Sequence, residues 1–252
     1  MSIKYEINPA FIHLESYIRD LPTMFDTVGQ LIYDARNQVR ILELDGLRMV
    51  AKRFKRPMLH QRIDYTFIRP SKARRAYTYG LRFLELGIST PQPIAYIETY
   101  GHGLYTDGYL VTAYCPDSDM RLLREESDSH PELVTALMTF IVDMHCKGCL
   151  HGDTNLSNFL YHADKESPTG YALTTIDINR SHFIPQPTPH QCLCSLMRLT
   201  HQRPLLTMLV EQYAVIRGWN TESSVNAVMR CLDRFEKTKR LKKKYINRLH
   251  FI

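Results

Sequence analysis

The hydrophobic pattern of this chain changes period at Cys115-Pro116-Asp117. Before that point apolar residues come in short alternating runs. After it they recur at helical spacing. A chain of this kind must bury a sheet first and a set of helices second. The expected class is therefore α+β in two lobes: residues 1–115 as a small antiparallel sheet with one helix, and residues 116–252 as a short, mainly helical lobe.

In the first half, Gln30–Tyr33, Val39–Leu44 and Leu47–Phe54 read as strands. Asp45-Gly46 is the dipeptide that a two-residue hairpin turn favours. Ser71 can cap a helix running to Leu86, with Tyr77, Leu81 and Leu84 at helical spacing; Gly87 ends it, and Pro91 and Pro93 prevent its continuation. Ile94–Glu98 and Tyr109–Tyr114 add two strands about Gly101-His102-Gly103, so this half reads β-β-β-α-β-β. In the second half, Pro131–Lys147 is amphipathic, with Leu133, Leu137, Phe140, Ile141 and Met144 on one face. Phe159–Tyr161 and Leu173–Ile178 form a hairpin, and the chain is helical from about Gln191.

The 252 residues are 44% hydrophobic and 23% charged, which excludes disordered and fibrous classes. The net charge of +6 points to an anionic partner: nucleotide, nucleic acid or membrane surface. The N-terminus has no secretory pattern, and the longest apolar stretch, Leu133–Met144, is too short to span a bilayer. A cytoplasmic location is expected, with peripheral contact to a membrane left open. The six cysteines are accordingly expected as thiols. His145, Cys146, Cys149 and His151 could be read as a zinc cluster. That segment runs off a helix end, however, and His151 belongs to a more informative motif.

That motif is HGDTNLSNFL, from His151 to Leu160, followed by IDINR from Ile176 to Arg180. It sets Asp153 five residues before Asn158, with Asp177 after the hairpin. Phosphoryl transfer from ATP needs such a set: a carboxylate to orient the attacking hydroxyl and take its proton, and an amide oxygen and a second carboxylate to hold Mg²⁺. Asp153 is the candidate catalytic residue; Asn158 and Asp177 are the candidate metal ligands. Asp177 ends an apolar strand, where a carboxylate is costly unless paired or metal-bound. His151 is expected to fix the loop by hydrogen bonding. Asn155 and Ser157 are read either as phosphate or acceptor contacts or as loop caps. Asp117 and Asp119 read as solvated loop acids.

His151, Asp153 and Asn158 match the catalytic-loop pattern H-R-D-x-x-x-x-N with Gly152 in place of Arg, and Val50-Ala51-Lys52 matches the third-strand lysine motif after a hairpin. The chain thus resembles the protein-kinase-like superfamily. From about Val50 to Phe183 it more closely resembles bacterial lipopolysaccharide kinases, through SKARRAY, LRFLELGISTPQPIAYIE, GYLVTAY, HGDTNLSNFLY and TIDINRSHF in that order. The pairing of HGD-x-N-L-S-N with IDINR looks most like the branch that phosphorylates 3-deoxy-D-manno-octulosonic acid (Kdo). The resemblance implies that Lys52 grips the nucleotide phosphates and that Thr112, Ala113 and Tyr114 line the adenine site. The implied acceptor is a sugar hydroxyl of the lipid A inner core. A RIO-like Ser/Thr kinase and a non-catalytic pseudokinase are the alternatives.

Three departures from the family pattern stand out. The turn over the nucleotide, Asp34–Gln38, has no glycine, leaving Arg36 or other backbone amides to meet phosphate. The glutamate expected to pair with Lys52 is replaced by Ala76, and Glu85 lies more than two turns further on. Ile178-Asn179 stands where Phe-Gly would follow the metal-binding Asp, which argues against activation-loop switching. The segment after Phe183 is also too short for a peptide-binding lobe. The basic run Lys237–Lys244 lies in a tail with Leu232, Phe235, Leu241, Tyr245 and Leu249 on one side. It reads as a solvated helix or as an attachment to anionic lipid. No aromatic platform accompanies it, and no nucleic-acid partner is expected.

Overall fold

The computed structural model of the chain describes residues 2–249. It divides into two compact units: the residues up to Pro116 together with Thr175–Asn179, and Asp117–Thr174 together with the chain from Arg180 onward.

The first unit is built on a six-stranded antiparallel sheet in the order β1-β5-β6-β4-β3-β2. Its strands are β1 (Ser2–Ile7), β2 (Gln30–Asp34), β3 (Gln38–Leu44), β4 (Leu47–Arg53), β5 (Pro93–Gly101) and β6 (Leu104–Ala113). The Asp45-Gly46 turn has both residues at positive φ (51° and 78°), the geometry that a twisted two-residue hairpin needs. One sheet face, with Leu42, Met49, Ala51, Ile97 and Val111, is covered by Leu14, Ile18, Leu21 and Phe25 from α1 (Glu15–Met24) and its flanks. The other face packs Phe54 and Tyr96 against Ala73, Ala76 and Tyr77 of α3 (Lys72–Glu85). The Ser71 hydroxyl caps α3 by accepting from the Arg74 N–H at 3.1 Å. The single helix expected in this half, α3, is therefore joined by α1 and by α2 (Leu59–Phe67). Thr175–Asn179 is stitched to this unit by Thr175 N–H to Ser89 O (2.9 Å) and Thr90 Oγ1–H to Thr175 O (2.8 Å).

In the second unit, β7 (Ser118–Asp119), β9 (Phe159–Ala163) and β10 (Tyr171–Thr175) make a small sheet, and β8 (Cys149–Leu150) pairs with β11 (His182–Phe183). The helices are α4 (Leu123–Glu126), α5 (Pro131–Cys146), α6 (Pro189–Leu196), α7 (Arg203–Arg217) and α8 (Thr221–Leu249). Helix α5 packs on α7, and α8 covers α6 and α7. Leu137 and Ile141 of α5, Leu206 and Leu209 of α7 and Leu232 of α8 are buried. The six cysteines were expected as thiols, but Cys194 and Cys231 form a disulfide joining α6 to α8, with Cα atoms 5.5 Å apart. Cys115, Cys146, Cys149 and Cys192 remain thiols. Among the described residues, no helix is long and apolar enough to cross a membrane. Of the apolar side expected for the basic tail, Leu232 is buried, Phe235 lies under the Arg198 guanidinium, 4.7 Å from its ring centre, and Leu241 is exposed. The side chains of Tyr245 and Leu249 lie outside the described residues.

His145 is buried in the helical core, with Nδ1 2.8 Å from the Tyr213 hydroxyl and Nε2 3.1 Å from Ser195 Oγ. Burial, helped by the like charge of Arg217, pushes its imidazole down to about 3. The proton that the unfolded chain takes up near pH 6.5 is thus refused by the native state. Stability is complete above that pH and falls as the pH drops from there toward 3. Going from pH 8 to pH 5.5 should cost the protein about 1.4 kcal/mol more than it costs a His145→Asn variant, measured by urea unfolding.

Candidate active site

Lys52 lies on the central strand β4, opposite Val39 and Leu110 of its neighbours. Its ammonium extends past the Phe54 ring to Asp177, with Nζ 2.8 Å from Oδ1. The same oxygen accepts a 2.7 Å bond from Asn179 Nδ2. Asp177 has φ at +57°, a left-handed conformation that Asp and Asn tolerate better than other residues with a side chain. Such a backbone persists only where its surroundings hold it in place, and it is most often found at functional sites. Here Lys52, Asn179 and the Thr175 stitches hold it. The sequence left the partner of Lys52 open, and the structure identifies it. Ala76 is buried among apolar and aromatic side chains, and Glu85 is engaged by Arg82 at 2.9 Å, so α3 offers Lys52 no carboxylate.

Thr112, Ala113 and Tyr114 follow on β6 and just beyond it. Thr112 sits in register with Val50. The Ala113 N–H donates to Gln92 O (2.9 Å), and the Tyr114 N–H donates to Arg48 O (3.0 Å), with the Arg48 guanidinium stacked on the Tyr114 ring. These two amides are committed to the unit itself. The turn between β2 and β3 closes through Ala35 N–H to Asn37 O (3.2 Å), and Arg36 is exposed at its tip.

In the second unit, the loop after β8 is tied at every step. His151 is buried, and its Nδ1 accepts the Asp153 N–H at 3.0 Å, the loop-fixing role expected of it. Asn158 Nδ2 donates to Asp153 O at 2.7 Å, so the five-residue spacing closes the loop on itself. Asn155 Oδ1 accepts from the Ser157 N–H (3.1 Å) and hydroxyl (2.9 Å), which makes these two residues loop caps. The Asp153 carboxylate lies between two guanidinium groups: Arg180 Nη1 at 3.1 Å and Arg198 Nη1 at 3.5 Å. Gly152 explains why the arginine of the usual pattern is absent. A Cβ there would meet the Arg180 carbonyl oxygen at 2.1 Å, so only glycine lets the two segments of the motif approach this closely. Arg180 and Arg198 supply the cations instead. The sequence reading missed both. Arg180 at least stood inside IDINR; nothing marked Arg198.

A groove of about 370 Å³ beside this loop is lined by His151, Gly152, His182, Gln191, Ser195 and Arg198. Asp119 caps a short turn, and its bond from Arg121 holds its carboxyl below the usual carboxylate range. Asp117 accepts from His162 at 3.0 Å and raises that imidazole. The structure therefore brings Lys52 to Asp177, and Asn158 to Asp153.

The model of the Lipopolysaccharide kinase (Kdo/WaaP) family matches residues 38–193. No curated protein matches the chain by sequence. Among solved structures, the chain is similar to WaaP in complex with acyl carrier protein, with a TM-score of 0.59 and 17% identity over 93% of this chain and 97% of that one. The likeness speaks for a shared protein-kinase-like fold. A second similar structure is the Rio2 kinase from Chaetomium thermophilum in its ADP/Mg²⁺-phosphoaspartate complex, with a TM-score of 0.46 and 14% identity over 90% and 77% of the two chains.

The close approach at Gly152 gives a direct prediction. Gly152→Ala should destabilise the protein by about 1–3 kcal/mol, since the added methyl must push the Arg180 carbonyl aside. At Gly170, where a Cβ meets nothing within 4 Å, substitution by Ala should cost only the strain of its positive φ. Urea denaturation of the two variants measures the difference.

Proposed function

The chain belongs to the Lipopolysaccharide kinase (Kdo/WaaP) family, and from that premise we propose that it transfers the γ-phosphate of ATP to a sugar hydroxyl of the lipid A inner core, with Kdo as the acceptor. The observation that carries this reading is Asp177, held in a left-handed backbone with its carboxylate on the strand lysine Lys52. A structural ion pair needs no such backbone. A carboxylate that must be aimed does.

In this reading Lys52 grips the α- and β-phosphates, and its pair with Asp177 keeps the ammonium extended along the sheet before nucleotide arrives. Asp177 and Asn158 offer hard oxygen donors, the kind that Mg²⁺ takes, so both residues fit that ion. When bound, the ion neutralises charge on the β- and γ-phosphates. Adenine lies against Thr112, Ala113 and Tyr114. The Ala113 and Tyr114 amides are already engaged, so these residues contact the base through other atoms.

Asp153 accepts the proton of the sugar hydroxyl as that oxygen attacks phosphorus. Arg180 and Arg198 fix the direction of its carboxylate and act as positioning residues. The groove beside it sets Leu150, Ile184 and Met197 with His182, Gln191 and Arg198, a mixed apolar and polar lining that can take a sugar ring and its hydroxyls.

The test is incubation of the protein with ATP, Mg²⁺ and Kdo-lipid A, read by mass spectrometry. One added phosphate on the glycolipid is expected. Asp153→Asn should lower the rate by about 10²–10⁴, and Lys52→Met by about 10²–10³ through loss of charge stabilisation. An unmodified glycolipid, with phosphate appearing instead on protein Ser or Thr, would replace this reading with a protein kinase. Identical behaviour of wild type and Asp153→Asn would leave a pseudokinase.

A further inference from the structure

Helix α2 carries its apolar stripe on the outside. Leu59, Ile63 and Phe67 recur every fourth residue and so share one face, yet they are 61%, 43% and 73% exposed. Met58 before the helix and Ile68 after it extend the stripe, at 71% and 75%. An amphipathic helix on a globular protein normally turns such a stripe inward. Here the inward side is held by other means. Arg62 Nε donates to Tyr105 O at 2.6 Å, the Tyr105 N–H donates to Thr66 Oγ1 at 2.9 Å, and buried Tyr65 meets Tyr105 edge-on. The helix is thus anchored by polar bonds and one aromatic contact, which leaves its hydrophobic face to something outside.

The charges around that face are almost all of one sign. Lys55, Arg56, His60 and Arg69 are exposed beside the stripe. Asp64 is the sole acidic residue between Phe54 and Leu84, and Arg69 engages it at 3.1 Å. The combination of a projecting apolar ridge and flanking cations is what an anionic bilayer accepts. The side chains enter the acyl boundary, and lysine and arginine stay at the headgroup phosphates.

Two other surfaces fit less well. Strand β2 exposes Leu31, Ile32 and Tyr33, but strand residues alternate sides, so no more than two of the three can share a face. The basic tail has turned Leu232 and Phe235 toward the protein, and of its expected apolar side only Leu241 is exposed among the described side chains. We propose that the Met58–Arg69 segment is a membrane-docking face, which seats the protein on an anionic lipid bilayer through Leu59, Ile63 and Phe67. This goes beyond the kinase reading and does not depend on it, since lipid binding is measured without turnover.

The experiment is sedimentation of the full chain with vesicles of phosphatidylethanolamine and phosphatidylglycerol, with phosphatidylcholine vesicles as the neutral control. Binding to the anionic vesicles, weakened by salt, is expected. Ile63→Ser with Phe67→Ser should reduce partitioning at least tenfold without lowering Tm, because both side chains are already exposed. Lys237→Ser with Lys239→Ser in the tail should leave partitioning within about twofold. Three results would overturn the proposal: no binding of the wild type to anionic vesicles, equal binding by the α2 variant, or loss of binding confined to the tail variant. Self-association of the wild type that the α2 variant abolishes, without vesicle binding, would assign the face to a second copy of the chain. Phosphorylation of a soluble, delipidated inner-core sugar should be unchanged in the α2 variant. The docking claim and the kinase claim can therefore fail separately.

Discussion

The kinase reading of this chain depends on one ion pair, the ammonium of Lys52 against the carboxylate of Asp177. The two side chains are 19% and 35% exposed. The pair therefore lies between the surface case, worth about 0–1 kcal/mol, and the buried case, where removing one partner costs about 3–5 kcal/mol. Against this stands the left-handed backbone of Asp177, a strain of about 1–3 kcal/mol. On those magnitudes the pair does little for net stability. What it does is fix direction: it keeps a lysine extended from a strand and a carboxylate aimed at it from just beyond the end of β10.

The second unit follows the same logic with different parts. Asp153 is not stabilised by one strong partner. It is bounded by the His151 ring behind its amide, by the Asn158 amide across its carbonyl, and by two guanidinium groups on its carboxylate. The missing side chain at Gly152 makes this possible, because the Arg180 backbone occupies that space. An arginine in the loop and arginines from neighbouring segments are two ways of placing a cation near the same carboxylate, and this chain uses the second, with Arg180 from the turn before β11 and Arg198 from just after α6.

The parts of the fold that could be read from the sequence have local causes. The Asp45-Gly46 turn, the Ser71 cap and the apolar face of α5 each declare themselves within a few residues, and all three are found where expected. Strand β1 and helix α1 were missed because their signals are weak. β1 is a six-residue edge strand, and α1 contains Pro22. Helix α2 was missed because its apolar stripe does not face a core. In the candidate site, the loop spacing from Asp153 to Asn158 was legible because one turn sets it. The partner of Lys52 was not, since it lies 125 residues away in sequence and replaces a residue expected on α3. Arg198 had no local signal, because its role comes only from how α6 ends against the loop.

The central claim is that Lys52 and Asp177 form the seat of a metal-bound nucleotide. The most direct measurement is calorimetric titration of ATP into the protein with and without Mg²⁺, repeated on Asp177→Ala. The account predicts that Mg²⁺ tightens ATP binding to the wild type and that this gain disappears in the variant while metal-free ATP still binds. If Asp177→Ala keeps the full gain from Mg²⁺, Asp177 is not a metal ligand and the pair with Lys52 is only structural.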